Sequence, residues 1–227
     1  MLEYTQKTIA VIGGSGALGS ALGLRWLLAG HQILIGSRSQ ERAESAANDL
    51  SNQSGRDGVV GYVNERAAAL ADIVVLTVPY SAHQETLHEI VSSVQNKIVI
   101  ETTVPLQPPK VARVSLPQNG SVGAITQSFF GESAQVVSAL HTVSAAHLSN
   151  LDNDLSGDVL VYGNQKGSRQ IVIDLIQEIG LKGWHAGSID NSAASEAMTS
   201  VMIFMNRHYG FDGAGIKIIS EGQKAKS

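Results

Sequence analysis

Gly14-Ser15-Gly16-Ala17-Leu18-Gly19, set directly behind the β-branched run Thr8–Ile12, decides the fold of this 227-residue chain. A GxGxxG carries information only in context: a strand before it, a helix opening on it, and a second strand about 20 residues on. All three follow here. Small and apolar residues recur at helical spacing over 16–29, Gly30 supplies a stop, and 31–35 is a strand closed by Gly36. In such a turn Gly14 permits the tight bend. Gly16 leaves room for a pyrophosphate where a Cβ would collide, and Gly19 lets helix and strand close up. Free N–H groups of Ala17, Leu18 and the rest of the first helical turn then bind phosphate, and Ser15 adds a hydroxyl. A Walker loop is excluded, because no Lys follows the glycines.

Outward from this point the pattern repeats. Residues 40–50 read as a helix with Ser39 as N-cap, 59–63 as a strand, and Asn64 as the cap of a helix to Ala71. The apolar runs 73–78 and 97–100 read as strands, with a helix over 82–94 between them. Strands apolar on both faces, alternating with helices, predict an α/β fold: a Rossmann-type doubly wound, mostly parallel sheet. Residues 102–119 hold Pro105, Pro108, Pro109 and Pro117 and read as a long loop. A helix near 121–130 and a strand at 135–140 follow. Strand, helix, strand and helix at 158–162, 168–179, 181–186 and 192–208, then a last strand at 216–219, form a smaller C-terminal α/β part. Residues 221–227 read as frayed. The expected division is 1–142 for the dinucleotide and 143–227 for completing a substrate cleft and a subunit interface.

The second strand ends Ile35-Gly36-Ser37-Arg38. An NAD-preferring domain has a carboxylate there for the ribose 2′-OH. Here a hydroxyl and a guanidinium replace it. Arg38 can pair bidentately with a 2′-phosphate, so NADP(H) is the expected dinucleotide.

Composition removes several classes of function. There are no cysteines, so disulfides, thiolate catalysis and cysteine-ligated metals are absent. Net charge is −4 without a basic stretch, which argues against nucleic acid as a partner. No apolar run reaches the ~18 residues of a membrane span, and Met1–Lys7 lacks the pattern of a signal peptide. A cytoplasmic protein is expected, with no membrane partner. Charged residues are only 16% of the chain against roughly 25% in average domains, which fits either area buried between subunits, as in a homodimer, or a surface rich in Ser, Gln and Asn.

Three further stretches join the glycine loop and Gly36-Ser37-Arg38 in a family pattern. They are Ser138-Ala139-Leu140-His141-Thr142-Val143 with Ala145-Ala146 and Asn150-Leu151-Asp152; Glu196 with Thr199; and Gly215-Ile216-Lys217. Together they resemble the NADPH-dependent reductases of the deazaflavin coenzyme F420, over nearly the whole chain. The resemblance implies hydride transfer between NADP(H) and coenzyme F420 or a related flavin-like acceptor. It implies that the nicotinamide lies beside Thr77-Val78-Pro79-Tyr80 and the loop from Thr102 to Leu106, with Val104, Leu106 and Ala139 along the dinucleotide. It also puts His141 and Thr199 near the deazaflavin as catalytic groups. His141 there would stabilise charge developing on the reduced ring. Ala193 and Ala197 depart from an Arg and a Ser carried by some members, so the acceptor stays open. A non-catalytic NADP(H)-sensing regulator is the alternative. An open cleft around Val104, His141 and Thr199 favours the enzyme.

Other signals carry less. Tyr162 and Lys166 form a YxxxK, but Gly163, Asn164 and Gly167 make that segment a turn. His83 and His88 are five apart, no HExxH exists, and no metal site is expected. Met198, Met202 and Met205 read as core or interface. Lys110 and Arg113 read as solvated charge.

Overall fold

From Ile9 on, β1 (Thr8–Ile12) is fully buried, and its side chains alternate between two apolar clusters. Ile9 and Val11 enter one, Ala10 and Ile12 the other. A strand buried on both faces needs a helical layer above and below it. The computed structural model, which describes residues 6–152 and 155–220, supplies both. The elements after β1 are α1 (Ala17–Leu28), β2 (Gln32–Ser37), α2 (Gln40–Ser54), β3 (Val59–Val63), α3 (Asn64–Leu70), β4 (Ile73–Leu76), α4 (Tyr80–Ile90) and β5 (Lys97–Glu101). They are followed by α5 (Val122–Phe130), β6 (Ala134–Ser138), α6 (Ala145–Ser149), β7 (Asp158–Gly163), α7 (Lys166–Glu178), β8 (Lys182–His185) and α8 (Ser192–Tyr209).

The strands form one sheet in the order β3-β2-β1-β4-β5-β6-β7-β8. Every pair is parallel except β6–β7. The chain first winds outward from β1 to β3, then returns to β4 on β1's other side. That reversal opens a crevice at the strand C-termini, where doubly wound sheets take their ligands. The C-terminal strands extend the same sheet, and Trp26 of α1 donates from Nε1 to Leu175 O of α7 at 3.0 Å across one face.

Register makes β7 unusual. Tyr162 pairs with Ser138, the last residue of β6, so Asp158–Val161 project past the end of β6. Four residues at about 3.3 Å each raise β7 roughly 13 Å above the rim of the parallel strands. With β8 alongside, it walls one end of the crevice.

Several boundaries differ from expectation, each for a local reason. Residues 216–219 form no strand. Ile216 O accepts from Asp158 N at 2.9 Å and Ile218 N donates to the Asp158 carboxylate, so the segment docks on the start of β7 without a ladder. Asn64 is not a cap: its side chain donates to Glu89 Oε2 at 2.6 Å and the helix starts behind Val63. β4 stops at Leu76, and Pro79 sits at the N-cap of α4. β6 stops at Ser138, and Leu140 turns the chain with φ +69°. α2 runs on to Ser54, where Gly55 ends it at φ +63°. The short helix α6, capped by Ser144, has no counterpart in the sequence reading. Residues 221–227 lie outside the described residues.

Candidate functional site

The glycine turn is built by close contact. Gly13, one residue before the motif, takes the left-handed conformation at φ +81°. Gly14 therefore serves packing rather than bending: a Cβ there would stand 2.8 Å from Val11 O and 2.9 Å from Ile35 Cδ1. Gly19 presses against the turn, where a Cβ would meet Thr77 Oγ1 at 2.6 Å and Gly14 Cα at 2.8 Å. Gly16 is different. A Cβ on it would approach only Gly13 O, at 3.3 Å, so its outer side is open. Gly16 is also the N-cap of α1, which has no side-chain cap and no acidic residue in its first turn. Among the described residues no side chain caps the positive end of α1, which lies at the C-terminal edge of the sheet.

From this turn the strand ends connect in an unbroken row. Gly13 N and Gly14 N both donate to Gly36 O, at 3.0 and 3.4 Å, which holds the turn to the end of β2. Next to it stands Ser37, whose Oγ accepts from Ser39 N at 3.5 Å. Arg38 is exposed, and no hydrogen bond or ion pair engages its side chain among the described residues. On the other side Thr77 Oγ1 donates to Ile12 O at 2.9 Å, and a Cβ on Gly13 would meet Val78 Cγ1 at 2.9 Å. Pro79 is exposed beside them. Thr103 Oγ1 reaches Val78 O at 3.4 Å, tying the loop after β5 to the loop after β4. Leu106 N donates to Val104 O at 2.7 Å in a tight turn that leaves both side chains half-buried. Ala139 N donates to Glu101 O at 3.0 Å, which brings the β6 end alongside. Thr199 Oγ1 closes the row against His141 O at 2.9 Å, with Ser195 O a second acceptor at 3.1 Å. Arg38 and His141 occupy opposite ends. Four strand steps of about 4.8 Å separate β2 from β6, roughly 19 Å.

His141 is 6% exposed. Burial pushes its pKa down to about 4, against a partial counter-effect from Glu101. The ring is therefore neutral near pH 7 and carries one N–H. Its Nε2 lies 3.1 Å from Ser138 Oγ, while Nδ1 is buried without a partner among the described residues. Buried ring nitrogens without a partner are rare in folded proteins.

The underside of α8 is polar. Glu196 accepts from Val122 N and Gly123 N at 2.8 and 3.1 Å, capping α5 from a distance, and Ser192 Oγ donates to it at 3.1 Å. Burial raises the Glu196 pKa to about 7, with Glu101 adding to the rise against those hydrogen bonds. Ser195 Oγ meets Tyr162 OH at 2.7 Å. Tyr162 is thus a buried β7 residue, while Lys166 opens α7, so the YxxxK forms no proton relay. The outward face of α8 is apolar: Met198, Val201 and Phe204 are 41, 41 and 54% exposed. Met202, by contrast, is buried.

Sequence reasoning missed Glu101 and Thr126, and weighed His83 only as a metal ligand. These three converge in a buried cluster below the loop after β5. The signal available was a lone carboxylate ending an apolar parallel strand. Among the described residues no set of three or more His, Asp or Glu gathers as a metal site, and no helix is long and apolar enough to cross a membrane.

Residues 8–105 match the family described as NADP oxidoreductase coenzyme F420-dependent. Relatives named F420-dependent NADP reductase occur in Methanocaldococcus jannaschii and Methanothermobacter thermautotrophicus. The first is 37% identical over 218 residues, covering 92% of this chain and 97% of the relative. The second is 32% identical over 225 residues, covering 96% and 97%. A crystal structure from Arthrobacter sp. FB24 shares the fold with a TM-score of 0.80 at 23% identity, covering 94% of this chain and 100% of that one.

Proposed function

Because this chain belongs to the F420-dependent NADP reductase family, we propose that it transfers a hydride between NADP(H) and coenzyme F420. The observation that carries the reading is the unbroken row of strand ends from an uncapped α1 N-terminus to the orphaned Nδ1 of His141. When bound, the two rings supply the hydride donor and acceptor; the protein has only to hold the reacting carbons aligned, roughly 3–3.5 Å apart.

The residues divide the work as follows. N–H groups of α1's first turn, with Ser15, hold the pyrophosphate. Ser37 and Arg38 hold the 2′-phosphate. Thr77, Val78, Pro79, Val104, Leu106 and Ala139 line the nicotinamide half. With Ser138 Oγ as donor to Nε2, the neutral His141 ring carries its proton on Nδ1, the donor offered to the deazaflavin. A neutral donor suits a ring that gains negative charge, because its N–H is too weak an acid to give its proton away. The hydroxyl hydrogen of Thr199 is committed to main-chain oxygens, so Thr199 offers the ring a lone pair and fixes His141 relative to α8. In this scheme residues 1–142 serve the dinucleotide, and 143–227 complete the acceptor side. Ala193 makes that side less cationic than an Arg would, and Ala197 offers no hydroxyl where a Ser would.

We further propose a cytoplasmic homodimer. A helix with polar residues beneath and Met198, Val201 and Phe204 outside has the reverse of ordinary surface amphipathicity, and a second copy would bury that stripe. Phe204→Glu should halve the mass seen in solution; an unchanged mass would remove this interface. For the reaction, the purified chain is mixed with NADPH and coenzyme F420, and the deazaflavin absorbance is followed. Bleaching at the rate of NADPH loss is expected. Absence of turnover with any deazaflavin or flavin rejects the proposal. Nothing in the site favours the regulatory alternative.

A further inference from the structure

Glu101 closes β5 with no solvent exposure, and its carboxylate is spoken for on every side. Oε1 accepts from the main-chain N of Thr103 at 2.9 Å. Oε2 accepts from His83 Nε2 at 2.8 Å and from Thr126 Oγ1 at 2.7 Å. His83 and Thr126 themselves lie 3.0 Å apart, so the three side chains form a closed triangle. His83 is in the first turn of α4, directly behind Val78 and Pro79, and Thr126 is in α5. A single buried anion therefore joins α4, α5 and the loop after β5.

Stability alone does not account for this arrangement. Replacing a buried ionic cluster by well-packed apolar side chains is often neutral or stabilising, whereas breaking one is costly. What the cluster supplies is direction. The Thr103 amide is fixed by Glu101 Oε1, its hydroxyl reaches Val78 O, and the tight Val104–Leu106 turn follows at once. Glu101 stays ionised: burial works to raise its pKa, but the bonds from His83, Thr126 and Thr103 outweigh burial and hold it below the usual carboxylate range.

We propose that Glu101 is a positioning residue for hydride transfer, setting the two loops that flank the nicotinamide through Thr103 and His83. The inference rests on the reading that the nicotinamide lies beside Val78 and Val104.

The test separates the two halves of the dinucleotide. In Glu101→Gln the charge is lost, and one amide cannot accept from Thr103, His83 and Thr126 as the carboxylate does. Affinity for 2′,5′-ADP, which has no nicotinamide, should stay within about twofold of the unsubstituted chain. Turnover should fall ~100-fold, the scale of a 1 Å misplacement of reacting groups. The fluorescence emission of bound NADPH should shift, reporting a changed ring environment. Thr126→Val, which removes one donor at nearly constant volume, should show the same split at ~10-fold and covers the case in which the Gln variant does not fold. Unchanged turnover and emission in the folded variants overturn the proposal. So does a parallel loss of 2′,5′-ADP and NADPH binding, which marks a general structural role. If the unsubstituted chain binds neither ligand, the dinucleotide reading itself has failed.

Discussion

Replacing Arg38 by Ala should separate NADPH from NADH. Arg38 stands exposed after β2 with no side-chain partner among the described residues, next to Ser37 and without a carboxylate in the strand end. A guanidinium facing a phosphate makes charge-assisted hydrogen bonds worth about 1.5–3 kcal/mol each relative to water. Exposure reduces this, since solvent competes and salt screens within about 8 Å at physiological ionic strength. Two such bonds discounted by half give about 2 kcal/mol, or ~30-fold in the dissociation constant. NADH has no 2′-phosphate and should weaken by less than ~2-fold on the same reckoning. Calorimetric titration of both dinucleotides into both chains measures the four constants. Arg38→Lys should fall between, because an ammonium keeps the charge and loses the fork. Raising salt should shrink the NADPH gap and leave NADH alone. Equal weakening of the two dinucleotides would refute the assignment, whatever its size.

Three other outcomes are expected. His141→Ala should slow turnover by ~100-fold, the scale of a lost oxyanion-type donor, with NADPH affinity nearly unchanged; the reverse pattern in stopped-flow and titration data would reject the donor role. Gly19→Ala drives a Cβ into Thr77 Oγ1 and Gly14, so thermal unfolding should register a loss of about 1–3 kcal/mol; a neutral result would mean the turn yields more easily than its contacts suggest. Glu196 has a folded pKa near 7, above the ordinary carboxylate value of 4.5, so the native state binds its proton more tightly and stability falls as pH rises through that window. His141 works oppositely: its depressed pKa of about 4 makes the stability of the neutral ring complete above 6.5 and lost as pH falls toward 4. Comparing melting curves with Glu196→Gln from pH 4.5 to 7 isolates the first effect, and a pH-independent difference would contradict it.

The glycine turn, the parallel sheet implied by βαβ alternation and the Ser37-Arg38 end were legible because each is a local rule. A strand buried on both faces must be apolar throughout, and a backbone meeting a phosphate must lack a Cβ. What stayed hidden depends on distance. Glu101 meets His83 and Thr126 across 18 and 25 positions, and no spacing announces such a meeting. His83 drew attention only as a failed metal ligand. The resemblance pointed to Thr199, but nothing in the sequence revealed that its hydroxyl turns to main chain. Residues 216–219 have strand composition, yet the sheet has a place for only their first main-chain contact. The reversal of β7 was also invisible, since a strand's direction is set by its partner and not by its own residues.

That reversal has a consequence for what can be held here. Co-directed strands offer their ends as successive stations along a track, and the first strand to run the other way, standing proud of the rest, ends it. The usable length is fixed by counting strands, before any side chain is consulted. A molecule laid along the track from Arg38 would meet that strand just past His141.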